Sequence, residues 1–117
     1  MKAALKAFDC SDHDPIEAWR PEDSSPVDYW LCCHIGPAGK EGADLFYVQV
    51  LSQSAAEAAV PTGKKIVVRD YSWPAVRNRV EEIIAASEGD DWGAIAKKLS
   101  QHFSGEFDGY VEFKERA

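Results

Sequence analysis

Val27–Ser52, VDYWLCCHIGPAGKEGADLFYVQVLS, decides the fold, because it holds two strand patterns joined by one turn. Tyr29, Leu31, Cys33 and Ile35 alternate with Asp28, Trp30, Cys32 and His34, a period of two that sets one apolar row against a core. Phe46, Val48 and Val50 alternate with Leu45, Tyr47, Gln49 and Leu51, so the second strand is apolar on nearly both sides and is expected to be paired on both edges. Between them, Gly36-Pro37-Ala38-Gly39-Lys40-Glu41-Gly42 has three glycines able to take positive φ and a proline that fixes φ, a composition suited to a turn. The reading is a β-hairpin at the centre of a sheet.

Upstream, Lys2 to Asp9 reads as a strand with Ala3, Leu5 and Ala7 on one side and Lys6 and Phe8 on the other. Cys10 to Pro26 is rich in Asp, Ser and Pro and reads as an ordered loop, with one helical turn over Pro15 to Trp19 that Asp14 caps. Asp12, Asp14, Glu17, Glu22, Asp23 and Asp28 gather here against Arg20 alone. A loop this long is either functional or loosely ordered.

Downstream, alanine-rich Gln53 to Val60 predicts a short helix ended by Pro61 and Gly63, and Lys64 to Asp70 a strand with Ile66 and Val68 inward. Ser72 ahead of Trp73-Pro74 is a helix start; Trp73, Val76, Val80, Ile83 and Ile84 share one stripe, and Gly89 is the expected stop. A second helix starts at Asp90 or Asp91 and runs to about Phe103, with Trp92, Ile95, Ala96, Leu99 and Phe103 as its stripe. Glu106 to Phe113 alternates as a last short strand. The fold class expected is α+β: an antiparallel sheet of four to five strands with two C-terminal helices packed on one face, in a single domain spanning residues 1–117.

Composition narrows function. The formal charge is −7, the wrong sign for a protein that neutralises phosphates, so no nucleic-acid partner is expected. No apolar run reaches bilayer length, and MKAALKAF meets Asp9 at once, so neither a membrane span nor a signal-peptide core is expected. Three cysteines, two of them adjacent, favour free thiols and a cytoplasmic location.

The candidate chemistry is thin. Cys32, Cys33 and His34 offer ligands in a row, but alternation sends Cys33 away from the other two and no second pair exists, so no metal and no cofactor are expected. Cys10 with His13 lacks an orienting third group for nucleophilic work. Glu22 and Asp23, or Asp90 and Asp91, are explained by surface and capping roles. Gly36, Gly39 and Gly42 do not lead into a helix, and Gly63-Lys64-Lys65 runs into a β-branched strand, so neither cradles phosphate. Of four tryptophans, Trp73 and Trp92 fit helix stripes. Trp19 and Trp30 sit beside charges instead, where aromatics anchor interfaces.

Ile35-Gly36-Pro37, Gly39-Lys40-Glu41-Gly42 and Phe46-Tyr47-Val48-Gln49-Val50 resemble the central segment of the Immunity protein 8 family of bacterial polymorphic toxin systems. Trp19-Arg20-Pro21-Glu22-Asp23 is similar to the family's aromatic-x-Pro-Glu-Asp stretch. Gly89 with Trp92 and Leu99, then Glu106-Phe107 and Tyr110, is similar to its closing motif, although Gly105 stands where the family tends to have an aromatic. The resemblance covers most of the chain and brings no catalytic residues with it. It implies a cytoplasmic antitoxin, not an enzyme, that binds the C-terminal domain of a cognate toxin. A basic, nucleic-acid-cutting toxin suits an acidic inhibitor. The residues expected to meet it are Asp12, Asp14, Glu17, Trp19, Glu22, Asp23, Asp28 and Trp30. The alternative is a small enzyme or ligand-binding module with a pocket near Cys32, His34 and Trp30; an adaptor that adds a peptide strand at a sheet edge is a third.

Overall fold

The computed structural model describes residues 1–22, 26–58 and 64–105. The hairpin forms as its pattern requires: β2 (Asp28–Pro37) pairs antiparallel with β3 (Asp44–Ser52) from Asp28↔Leu51 to Ile35↔Asp44. Gly39 and Gly42 take positive φ, 78° and 98°, as the turn demands. Gly36 is glycine for another reason: a Cβ there would lie 2.0 Å from the carbonyl oxygen of Gly42.

On one side of the hairpin lies β1 (Ala3–Asp9), antiparallel to β2. The expected alternation of β1 breaks partway. Leu5 pairs with Ile35 and Ala7 with His34, so Lys6 is an extra residue in a bulge. The bulge corrects the facing read from sequence: Phe8, opposite buried Cys33, joins the core side, and Ala7 is exposed. The Lys6 ammonium donates to the Lys40 carbonyl in the hairpin turn.

β3 is paired on both edges. Beyond the hairpin, β4 (Lys65–Val68) pairs along Gln49–Ser52, and β5 (Ser104–Gly105) pairs at Phe46 and Tyr47. The spatial order is β1-β2-β3-β4, with β5 on β3. One pairing departs from the antiparallel pattern: β4 runs parallel to β3, because α1 (Gln53–Ala58) lies in the connection between them and the chain returns before pairing again. The expected strand over Glu106 to Phe113, the expected end of α1 at Val60, Pro61 and Gly63, and Asp23 lie outside the described residues.

The two later helices cover one face. α2 (Trp73–Ala85) is capped by Ser72, whose side chain accepts from the Ala75 amide, and Trp73, Val76, Val80, Ile83 and Ile84 are all buried as their stripe requires. It ends at Ala85 with Ala86 as its cap, so Gly89 does not stop it. Gly89 is needed instead for close packing, since a Cβ there would meet the Ala94 Cβ at 2.9 Å. α3 (Trp92–Leu99) is capped by Asp91 and is shorter than its stripe predicted, although Phe103 beyond it is buried. Ile95, Leu99 and Phe103 join the α2 stripe, Tyr29, Leu31, Cys33, Ile35, Phe46, Val48 and Val50 in one core. Phe8 packs on Trp73 with ring centroids 4.8 Å apart, and the Trp92 indole donates to Asp44 at 2.7 Å, tying α3 to the start of β3.

Candidate functional site

The acidic stretch after β1 is held by its few apolar residues. Cys10 and Ile16 are buried in the core, Ile16 within a single 3-10 turn (Ile16–Ala18). Pro15 stands at the head of that turn without a side-chain cap, so Asp14 does not cap it as expected. Trp19 is half-buried against the core, which corrects its reading as an aromatic without a structural reason. Its ring stacks on His13 at 3.8 Å, within 15° of parallel, and meets Tyr29 and Tyr71 edge-on at 5.9 and 5.5 Å. The two tyrosine hydroxyls share a 2.8 Å hydrogen bond, and burial pushes both phenols up from their usual range. The loop is therefore ordered by an aromatic cluster.

With the apolar side chains turned in, the carboxylates turn out. Asp12, Asp14, Glu17 and Glu22 are exposed, and among the described residues no ion pair engages any of them. Arg20, the cation expected to oppose them, donates to the Glu17 and Trp19 carbonyls at 3.1 and 3.0 Å. Its hydrogen bonds shape the loop and leave the side-chain charges unpaired.

The loop adjoins the sheet face that turns away from α2 and α3. Cross-strand register places Asp9, Cys32 and Tyr47 in one row of that face and His34 with Leu45 in the next. Trp30 pairs with Gln49 there and is 46% exposed; Asp28, opposite Leu51 at the start of β2, accepts from the Gln49 side-chain amide at 2.9 Å. A groove of about 350 Å³ runs over this face, lined by Asp9, Ser11, Trp30, Cys32, His34, Leu45 and Tyr47. At the far end of the loop a larger groove of about 600 Å³ is lined by Pro21, Tyr71, Glu57, Arg69 and Asp70 among others.

Thus Asp12, Asp14, Glu17 and Glu22 stand on the loop, Asp28 and Trp30 stand on the open sheet face, and Trp19 lies under the loop. His13, Tyr29 and Tyr71, which order the loop, were missed as a group because they come from three separate segments. Asp9 was missed for a different reason: only the bulge at Lys6 brings it to the open face. The Cys33 thiol, one residue from the groove, is buried on the other side and pushed up to about 12 by that burial.

Fold and surface define a small acidic α+β domain in which, among the described residues, carboxylates without ion pairs flank the sheet face that turns away from α2 and α3. No helix among the described residues is long and apolar enough to cross a membrane. A family model described as Immunity protein 8 matches residues 3–110, and the chain belongs to that family. It is an immunity protein, the partner of a toxin. Neither the curated proteins nor the solved structures gave a significant match.

Proposed function

We propose that this chain is a cytoplasmic antitoxin that binds the C-terminal domain of a cognate polymorphic or contact-dependent toxin and neutralises it stoichiometrically, without catalysis. The observation that carries this reading is the family match over residues 3–110. The surface chemistry supports a basic toxin, such as one that cuts nucleic acid. An enzyme that grips phosphates presents Lys and Arg, and a net charge of −7 with unpaired carboxylates on an ordered loop attracts that surface and steers its approach. Asp12, Asp14, Glu17, Glu22, Asp23 and Asp28 supply the charge. Trp30 is the exposed aromatic anchor, and Trp19 contributes chiefly by holding the loop in place.

The test is to express the toxin domain encoded immediately upstream and measure association and affinity at two salt concentrations. Wild-type protein is expected to bind tightly and to weaken with salt. Glu17→Gln, Glu22→Gln and Asp23→Asn together are expected to slow association on the order of tenfold and flatten its salt dependence. Trp30→Ala is expected to speed dissociation, raising Kd roughly tenfold or more. Unchanged kinetics in the charge variant removes the loop from the interface; no binding by wild type to any such domain overturns the antitoxin reading. The groove over Trp30, Cys32 and His34 gives the small-ligand alternative a physical place. Native mass spectrometry showing a retained small molecule, displaced by Trp30→Ala, would favour it.

A further inference from the structure

We propose that Asp9, Cys32 and His34 form a zinc(II) site on the open face of the sheet. Sequence spacing argued against a metal because Cys33 turns away and Cys32-x-His34 alone supplies two ligands. The fold supplies the third. Cys32 and His34 are two residues apart on β2 and share a face, while Asp9 on β1 is the direct cross-strand partner of Cys32. The carboxylate oxygen, the thiol sulfur and an imidazole nitrogen all lie within 4.8 Å of one another. His34 Nε2 and Asp9 Oδ2 are already 2.8 Å apart.

A tetrahedral zinc site holds its ligand atoms about 3.3 to 3.8 Å apart, given metal–ligand bonds of about 2.0 to 2.3 Å. Reaching that shape needs the Asp9–His34 contact to open slightly and the sulfur to draw in, movements within the reach of side-chain rotation on fixed strands. The donor set selects the metal. A thiolate and an imidazole with one carboxylate suit zinc and related borderline-soft ions, whereas calcium and magnesium require oxygen ligands. On binding, the Cys32 S–H gives its proton to solvent, the thiolate and the neutral imidazole each donate a lone pair to the ion, and the Asp9 carboxylate lowers the net charge of the centre. The side chains of His34 and Asp9 are 34% and 58% exposed, so an ion has direct access. The three residues line the groove that Trp30 and Tyr47 also line, and a solvent water would complete a four-coordinate shell. Zinc binding at this site does not depend on toxin binding and is tested without the toxin.

The experiment is a titration of the reduced, untagged full-length protein with cobalt(II), a spectroscopic substitute for zinc, followed by zinc competition. Wild type is expected to take one equivalent with a thiolate-to-cobalt charge-transfer band, which zinc then abolishes. Cys32→Ser is expected to lose the band. His34→Gln and Asp9→Asn are expected to weaken binding on the order of tenfold or more. Asp12→Asn, an exposed acidic control nearby, should bind as wild type does. In parallel, zinc should slow alkylation of Cys32. Absence of the band in wild type at a large cobalt excess overturns the proposal, and so does a band that survives Cys32→Ser. Far-UV circular dichroism of each variant identifies any that lose binding by failing to fold, and the wild-type titration decides the question even then.

Discussion

Asp9 faces Cys32 directly across the β1–β2 pair, on the open side of the sheet, because β1 spends one extra residue at Lys6. Had Lys6 instead paired with His34, the register that pairs Leu5 with Ile35 would set Asp9 opposite Leu31, a core position. A carboxylate there would be desolvated, and Phe8 would leave Trp73 for water. The bulge thus settles two facings at once, one apolar and one acidic.

Deleting Lys6 tests whether it is the extra residue. Removal of the bulged residue leaves Ala7 opposite His34 and Leu5 opposite Ile35 as consecutive pairs, so the shortened strand keeps Phe8 inward and Asp9 outward. The expected cost is about 1 kcal/mol, mostly the exposed hydrogen bond from Lys6 to Lys40. Urea denaturation measures it; loss of cooperative folding would show that the bulge itself holds the sheet.

The hairpin glycines separate two reasons for glycine. Gly36→Ala drives a methyl into the Gly42 carbonyl and is expected to destabilise by about 3 kcal/mol. Gly39→Ala meets no atom within 4 Å and carries only the cost of a positive φ, about 1 kcal/mol. Thermal melts of the two variants should rank Gly36→Ala well below Gly39→Ala; equal melting temperatures would contradict the close approach.

Trp19→Ala removes the ring that stacks on His13 and touches Tyr29 and Tyr71. Because Trp19 is only half-buried, the expected loss is about 2 kcal/mol, below that of a fully buried Trp. Hydrogen exchange should quicken through residues 11–20 more than in β2 and β3. Uniform quickening across the sheet would mean that the loop and core open as one unit.

Alkali should destabilise the fold. The Cys33 thiol rises from 9.0 to about 12 through burial, and the Tyr29 and Tyr71 phenols are raised by burial from 10.0. Each folded-state pKa lies above its unfolded value, so the native state keeps protons that the unfolded chain releases. Stability is full below the unfolded values and falls as pH climbs from about 9 toward 12 for Cys33, and from about 10 upward for the tyrosines. Melting temperature measured from about pH 8 to pH 11 should decline across that window. A flat profile would place the three groups in water.

Periodicity carried most of the architecture. The hairpin, the stripe of α2 and the cap Ser72 depend on neighbours within a few residues and stand where their patterns placed them, whereas α3, read as starting at Asp90 or Asp91 and running to about Phe103, is capped by Asp91 and ends at Leu99. The parallel seat of β4 was not legible, because pairing direction depends on where the connection through α1 returns the chain. Trp19 misled for a similar reason: its partners His13, Tyr29 and Tyr71 include residues far off in the chain, and a ring beside charges reads as exposed until they are assembled.

The sequence by itself determined the hairpin, the places of β1, β4, α2 and α3, the acidic balance and the family, since these reside in residue order and composition. Tertiary structure alone decided which charges stand unpaired on an ordered loop and which side chains meet on the open face. Arg20 bonds to backbone rather than to carboxylates, and one bulged residue moves Asp9 from the core side to Cys32 and His34. The physical reasons differ: Arg20 finds its partners only once the loop has folded around its buried apolar residues, whereas a strand has period two, so a single extra residue reverses every facing beyond it and no local pattern records where that residue will be spent.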